Sequence, residues 1–75
     1  MIVWQGISVD PDIMGGQPCI AVTRIPARAI YHLARAGYSV NRIISEYPGL
    51  TPLEIANALA WSAMPAKMRK EWVDG

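Results

Sequence analysis

Seventy-five residues, 8.2 kDa, make one small domain and too little chain for two, which excludes a large multi-step enzyme. The composition is apolar for so short a chain, 52% hydrophobic against 17% charged, and seven Lys and Arg against six Asp and Glu leave a net charge of +1, so bulk charge gives no argument for nucleic acid. A single cysteine, Cys19, and a single histidine, His32, exclude an intrachain disulfide and a Cys/His zinc cluster, so a domain this small is expected to gain stability by association, as a homodimer.

The opening Met1-Ile2-Val3-Trp4-Gln5 lacks a basic segment ahead of an apolar signal core, and nowhere do about 18 apolar residues follow one another, so the chain reads as cytoplasmic with no membrane segment. Ile2-Val3-Trp4 and Ile7-Ser8-Val9 are β-branched or aromatic runs. The turn formers Asp10-Pro11-Asp12 and Gly15-Gly16-Gln17-Pro18 follow, and Cys19-Ile20-Ala21-Val22-Thr23 is again strand-like. A small two-stranded element is expected, packed on helices or paired with a second subunit, because an isolated hairpin is marginal in water. Gly15-Gly16 is followed neither by the Lys-Ser/Thr of a phosphate loop nor by a second glycine at dinucleotide spacing, which leaves it to turn chemistry.

From Pro26 the period becomes helical. Pro26 suits a first helical position, Ala29, Ile30, Leu33 and Ala34 recur along one face, and Gly37 supplies a left-handed stop. Ser39 then caps a short second helix in which Val40, Ile43, Ile44 and Tyr47 form the apolar face before Pro48-Gly49. Thr51-Pro52-Leu53-Glu54 is a capping box with proline at the first helical position, and the third helix runs from it to about Met64, where Pro65 cannot continue the ladder. On this helix Ile55, Ala56, Leu59, Ala60 and Ala63 are read as the core face. Leu53, Trp61 and Met64 lie on another face beside Asn57 and Glu54, which is either an exposed interface or a surface that the hairpin covers.

Residues 1–64 thus form one domain of β-hairpin and three helices, and 65–75 a basic and apolar tail. In that tail Met64, Met68 and Trp72 recur every four residues with Lys67, Arg69, Lys70 and Glu71 between them, as a short amphipathic helix that binds a partner or as a frayed end.

Catalytic chemistry is poorly supplied. His32 and Cys19 lie in different elements, and Asp10 and Asp12 flank a proline in a turn, so neither a catalytic constellation nor a cofactor or metal site is indicated. The second and third helices on a preceding helix have the layout of a helix-turn-helix, which makes DNA binding a proper hypothesis. The third helix, however, carries no Lys or Arg and has Glu54 near its start, so direct base readout is weak. Positive charge gathers instead where Arg28, His32 and Arg35 share a face of the first helix, with Arg24 before it and Arg42 on the second. The four arginines are candidate phosphate contacts, with an acidic protein or plain solvation as the competing readings.

The ordered run Asp10-Pro11-Asp12-Ile13-Met14-Gly15-Gly16-Gln17-Pro18-Cys19-Ile20, Thr23-Arg24-Ile25-Pro26, Ala36-Gly37-Tyr38-Ser39, Ile43-Ile44, Tyr47-Pro48-Gly49-Leu50-Thr51 and Ile55, Ala58-Leu59-Ala60 resembles the family known as domain of unknown function 433, over about residues 7 to 64. The resemblance implies a homeodomain-like three-helix core behind an N-terminal β-element. It also implies an antitoxin of a VapBC-type pair that neutralises a PIN-like ribonuclease and represses its own operon. A free-standing helix-turn-helix regulator is the alternative. Members usually carry glycine before the Thr-Arg, whereas Val22 stands here, so a different loop geometry is expected. Arg24 matches the family's arginine and is expected to lock the hairpin onto the helices through Asp10 or Glu46, or to touch the partner. PIN-like sites are carboxylate clusters around divalent metal, for which a basic and apolar element is a suitable plug. The partner-binding candidates are Leu53, Asn57, Trp61, Met64, Lys67, Met68, Arg69, Lys70 and Trp72.

Overall fold

A computed structural model describes residues 1–74. Strands β1 (Ile2–Trp4), β2 (Ile7–Ser8) and β3 (Cys19–Ile20) precede helices α1 (Ala27–Arg35), α2 (Val40–Glu46), α3 (Pro52–Ala63) and α4 (Ala66–Asp74). The strands form one antiparallel sheet in the order β1-β2-β3. The sheet exceeds the expectation, with three strands in place of two, and beyond the three expected helices the tail, read as a short helix or a frayed end, forms a fourth.

The third strand exists because the chain reverses at Gln5-Gly6. Gly6 sits at φ +70, a left-handed backbone that side chains rarely adopt, and a Cβ there would lie 2.7 Å from Asn57 Nδ2 on α3. The sequence reading ran one strand from Cys19 to Thr23, but β3 stops at Ile20. Thr23 ends it by folding back, its backbone N–H and its hydroxyl both donating to the Ile20 carbonyl at 3.0 and 2.7 Å, while Ile25 N–H donates to Thr23 Oγ1 at 3.0 Å. Within this turn Val22 adopts φ +66 with its side chain fully exposed. The valine therefore takes the left-handed conformation that a glycine would provide, and the expected departure in backbone is replaced by strain on a β-branched residue.

The helix ends follow their sequence signals closely, except that Pro26 is the N-cap of α1 and not its first residue. Gly37 at φ +96 closes α1, with Tyr38 N–H donating to the Leu33 carbonyl and Gly37 N–H to that of Ala34. Ser39 Oγ accepts from Arg42 N–H at 3.2 Å to start α2. Both arms of the Thr51/Glu54 capping box are made, at 2.9 and 3.2 Å, and Pro52 opens α3.

One fully buried isoleucine comes from each of β2, β3, α1, α2 and α3, namely Ile7, Ile20, Ile30, Ile43 and Ile55, and each such burial is worth about 1.5 to 3 kcal/mol. Helix α3 touches α1 and α2 as well as β2 and β3, so its buried arc is Ile55, Ala58 and Trp61. Ala56, Ala60 and Ala63, read from the sequence as core, are exposed. The expected face was centred wrongly because it left out the sheet that closes on the other side of the helix. No helix among the described residues is long and apolar enough to cross a membrane.

Candidate functional site

The aromatic stripe of α3 is covered by its own chain. Trp61 is 2% exposed, and Trp4 of β1 lies against it with ring centroids 5.9 Å apart and planes tilted by 44°. Gln5, at the hairpin turn, donates from Nε2 to Asn57 Oδ1 at 2.9 Å. Of the two readings of this face, the cover by the hairpin is the one observed, so Trp61, a candidate partner contact, is core and Asn57 anchors the hairpin. Met64 is half-buried and packs against the core, while Leu53 remains 66% exposed at the other end of the helix.

The segment after Pro65 is helical, and its two sides differ. Arg69 and Val73, four residues apart, face the body of the protein, and Val73 packs against the core. Arg69 Nη1 donates to the carbonyls of Ser62, at 3.0 Å, and of Met64. These acceptors close the C-terminal end of α3, where a cation is also favoured by the helix dipole. On the other side Met68 and Trp72, again four apart, are 47% and 51% exposed beside exposed Lys67 and Lys70. The three expected cations therefore split, with Arg69 holding α4 in place and the two lysines facing outwards with Met68 and Trp72.

The arginines proposed for phosphate contact are all exposed. Arg24 lies at a cleft with Met1, Ile2, Asp10 and Val22, and it bonds neither Asp10 nor Glu46 among the described residues, so the expected lock of hairpin onto helices is made instead by Gln5 and Asn57. Arg28, in the first turn of α1, borders a separate recess with Arg69. Arg35 donates to Tyr31 Oη at 3.3 Å and lies over that ring, and Arg42 lies over the Tyr38 ring at 4.3 Å from its centroid. These two guanidiniums are thus held by aromatic faces on the outside of α1 and α2.

Asp10 works as a turn residue, its Oδ1 accepting from Asp12 N–H at 2.9 Å. Cys19 is buried, its thiol donates to the Gln17 carbonyl at 3.3 Å, and burial pushes its pKa up. Among the described residues no three His, Cys, Asp or Glu come together as a metal site. The recess bordered by Arg28 and Arg69 was not legible in the sequence, because it joins residues from α1, α3, α4 and the turn before β3 that share no spacing.

Comparison with known proteins places this geometry in a family. The family described as "Protein of unknown function (DUF433)" matches residues 7–61. Uncharacterized protein y4eO of Sinorhizobium fredii is 32% identical over 65 residues, which is 85% of this chain and 29% of that protein, so the chain spans less than a third of this relative. The crystal structure of a DUF433 member protein from Anabaena variabilis has a TM-score of 0.74 at 24% identity, covering 93% of this chain and 69% of that one, a likeness of fold.

Proposed function

The chain belongs to the DUF433 family, and we propose that it is an antitoxin of the VapBC type, which binds and neutralises a PIN-like ribonuclease. The observation that carries this reading is the outer side of α4, where Met68 and Trp72 stand half exposed between Lys67 and Lys70 on a helix that Arg69 and Val73 hold to the body. A helix fixed in this way loses little conformational freedom on docking. Its apolar residues can fill a groove while the lysines approach the carboxylates of a metal-dependent nuclease site.

The second part of the proposal is operator binding by a homodimer, with α1 to α3 acting as a homeodomain-like helix-turn-helix. It is supported by Arg35 and Arg42, exposed and held on tyrosine rings. Because α3 has no Lys or Arg, contact with DNA would go mainly to phosphates, and affinity would fall steeply with salt. An apolar surface that could serve a dimer is Leu53 with Ala56, Ala60 and Ala63 along the outside of α3.

Co-expression with a PIN-like ribonuclease from the same genome, the neighbouring gene product first, followed by affinity capture and an RNA cleavage assay, tests the main reading. A stable complex with suppressed cleavage is expected. A nuclease that is neither captured nor inhibited would contradict it.

A further inference from the structure

The recess between α1, α3 and α4 has a volume of about 340 Å³, within the range of small-ligand pockets, and its chemistry is one-sided. Arg28 and Arg69 border it, together with Tyr31, Gln17, Ser62 and Trp61, and none of the described residues that line it is acidic. We infer that this recess binds a small molecule bearing an oxyanion, a carboxylate or a phosphate monoester carried on a compact apolar or aromatic group.

Three features converge on that ligand class. Arg69 is fixed by its Nη1 bonds to the Ser62 and Met64 carbonyls, which leaves the donors on Nε and Nη2 to a ligand on a guanidinium that is already ordered. Tyr31 Oη already accepts from Arg35 Nη1 at 3.3 Å, so its own proton is free to be donated, and the arginine polarises it. Finally, Arg28 lies in the first turn of α1, where no acidic side chain and no side-chain cap is present, so a cation adds to the positive end of the helix dipole and an anion would relieve both. Pro18 and the half-buried Tyr31 ring supply the apolar wall that favours an aromatic carrier over a bare ion.

The site does not depend on the antitoxin reading, since Lys67, Met68, Lys70 and Trp72 do not line it. Titration of the full chain with benzoate, phenyl phosphate, inorganic phosphate and neutral benzyl alcohol, followed by amide and indole NMR, tests it. Saturable shifts at Arg28, Tyr31, Ser62 and the Trp61 indole are expected with the two aromatic anions, weaker ones with inorganic phosphate, and none with the alcohol. The tighter of the two aromatic anions identifies the source as carboxylate or phosphate. Arg28→Gln, at an exposed position, should keep the fold and weaken binding by about tenfold or more, the loss of a charge-assisted hydrogen bond. Shifts that fail to saturate, that appear equally with benzyl alcohol, or that are unchanged in Arg28→Gln would overturn the proposal.

Discussion

Trp61 and Trp72 belong to similar helical patterns, an aromatic residue on an apolar stripe, and they have opposite fates. Trp61 is 2% exposed because the β1-β2 hairpin folds over α3, bringing Trp4 to 5.9 Å and fastening Gln5 to Asn57. Trp72 is 51% exposed because α4 spends its inward side on Arg69 and Val73. The difference teaches that an apolar stripe marks a surface that requires a cover, and that only the topology decides whether the cover comes from the same chain. For Trp61 it does. For Trp72 the proposed cover is a partner.

Removing Trp61 should have the largest effect. Trp61→Ala is expected to cost about 3 to 5 kcal/mol, comparable with the whole core contribution of so small a domain, and to leave the chain largely unfolded in a urea titration. A folded variant with only weaker self-association would return Trp61 to the interface role. Gly6→Ala acts on the cover itself, since it combines a left-handed backbone with a Cβ 2.7 Å from Asn57 Nδ2. A loss of about 1 to 3 kcal/mol is expected, measured by the same titration.

Smaller effects sharpen the picture of the turn before α1. Val22→Gly removes a fully exposed side chain from φ +66 and should raise stability by about 0.5 to 1 kcal/mol, a few degrees in Tm, after the greater freedom of glycine in the unfolded chain is counted. An unchanged or lower Tm would mean that the valine is not strained. Burial pushes the Cys19 thiol above its ordinary value of 9.0. Above that pH the unfolded chain releases the proton while the folded protein keeps it, so stability is full below 9.0 and falls as pH rises beyond it. Cys19→Ala should flatten this slope, as urea titrations on either side of 9.0 would show.

The parts of the fold that were legible in the sequence are those set by local chemistry. Ser39, Thr51, Glu54, Gly37 and Pro65 fixed the helix boundaries because caps and stops act within a few residues of themselves. What depends on distant chain was not legible. The Gln5-Gly6 reversal carries only one glycine as a signal, and its purpose appears when Asn57, fifty-two residues from Gln5, receives it. Arg69 read as one of three equivalent cations until the end of α3 was placed beside it, and the two arginines of the recess share no sequence spacing. Replacing Arg69 together with Lys67 and Lys70, or truncating after Met64, would therefore disturb the end of α3 along with the proposed binding surface.

The division between the two tryptophans is tested most directly by the double variant Met68→Ala/Trp72→Ala, measured at once for thermal stability and for inhibition of the proposed partner nuclease. Both residues are half exposed, so Tm is expected to stay within about 3 °C of the unaltered protein. Inhibition is expected to weaken by about 30-fold or more, the usual cost of losing a tryptophan hot spot. A protein that inhibits as well as the original would place the partner surface elsewhere, and one that unfolds would show that α4 belongs to the core on both of its sides.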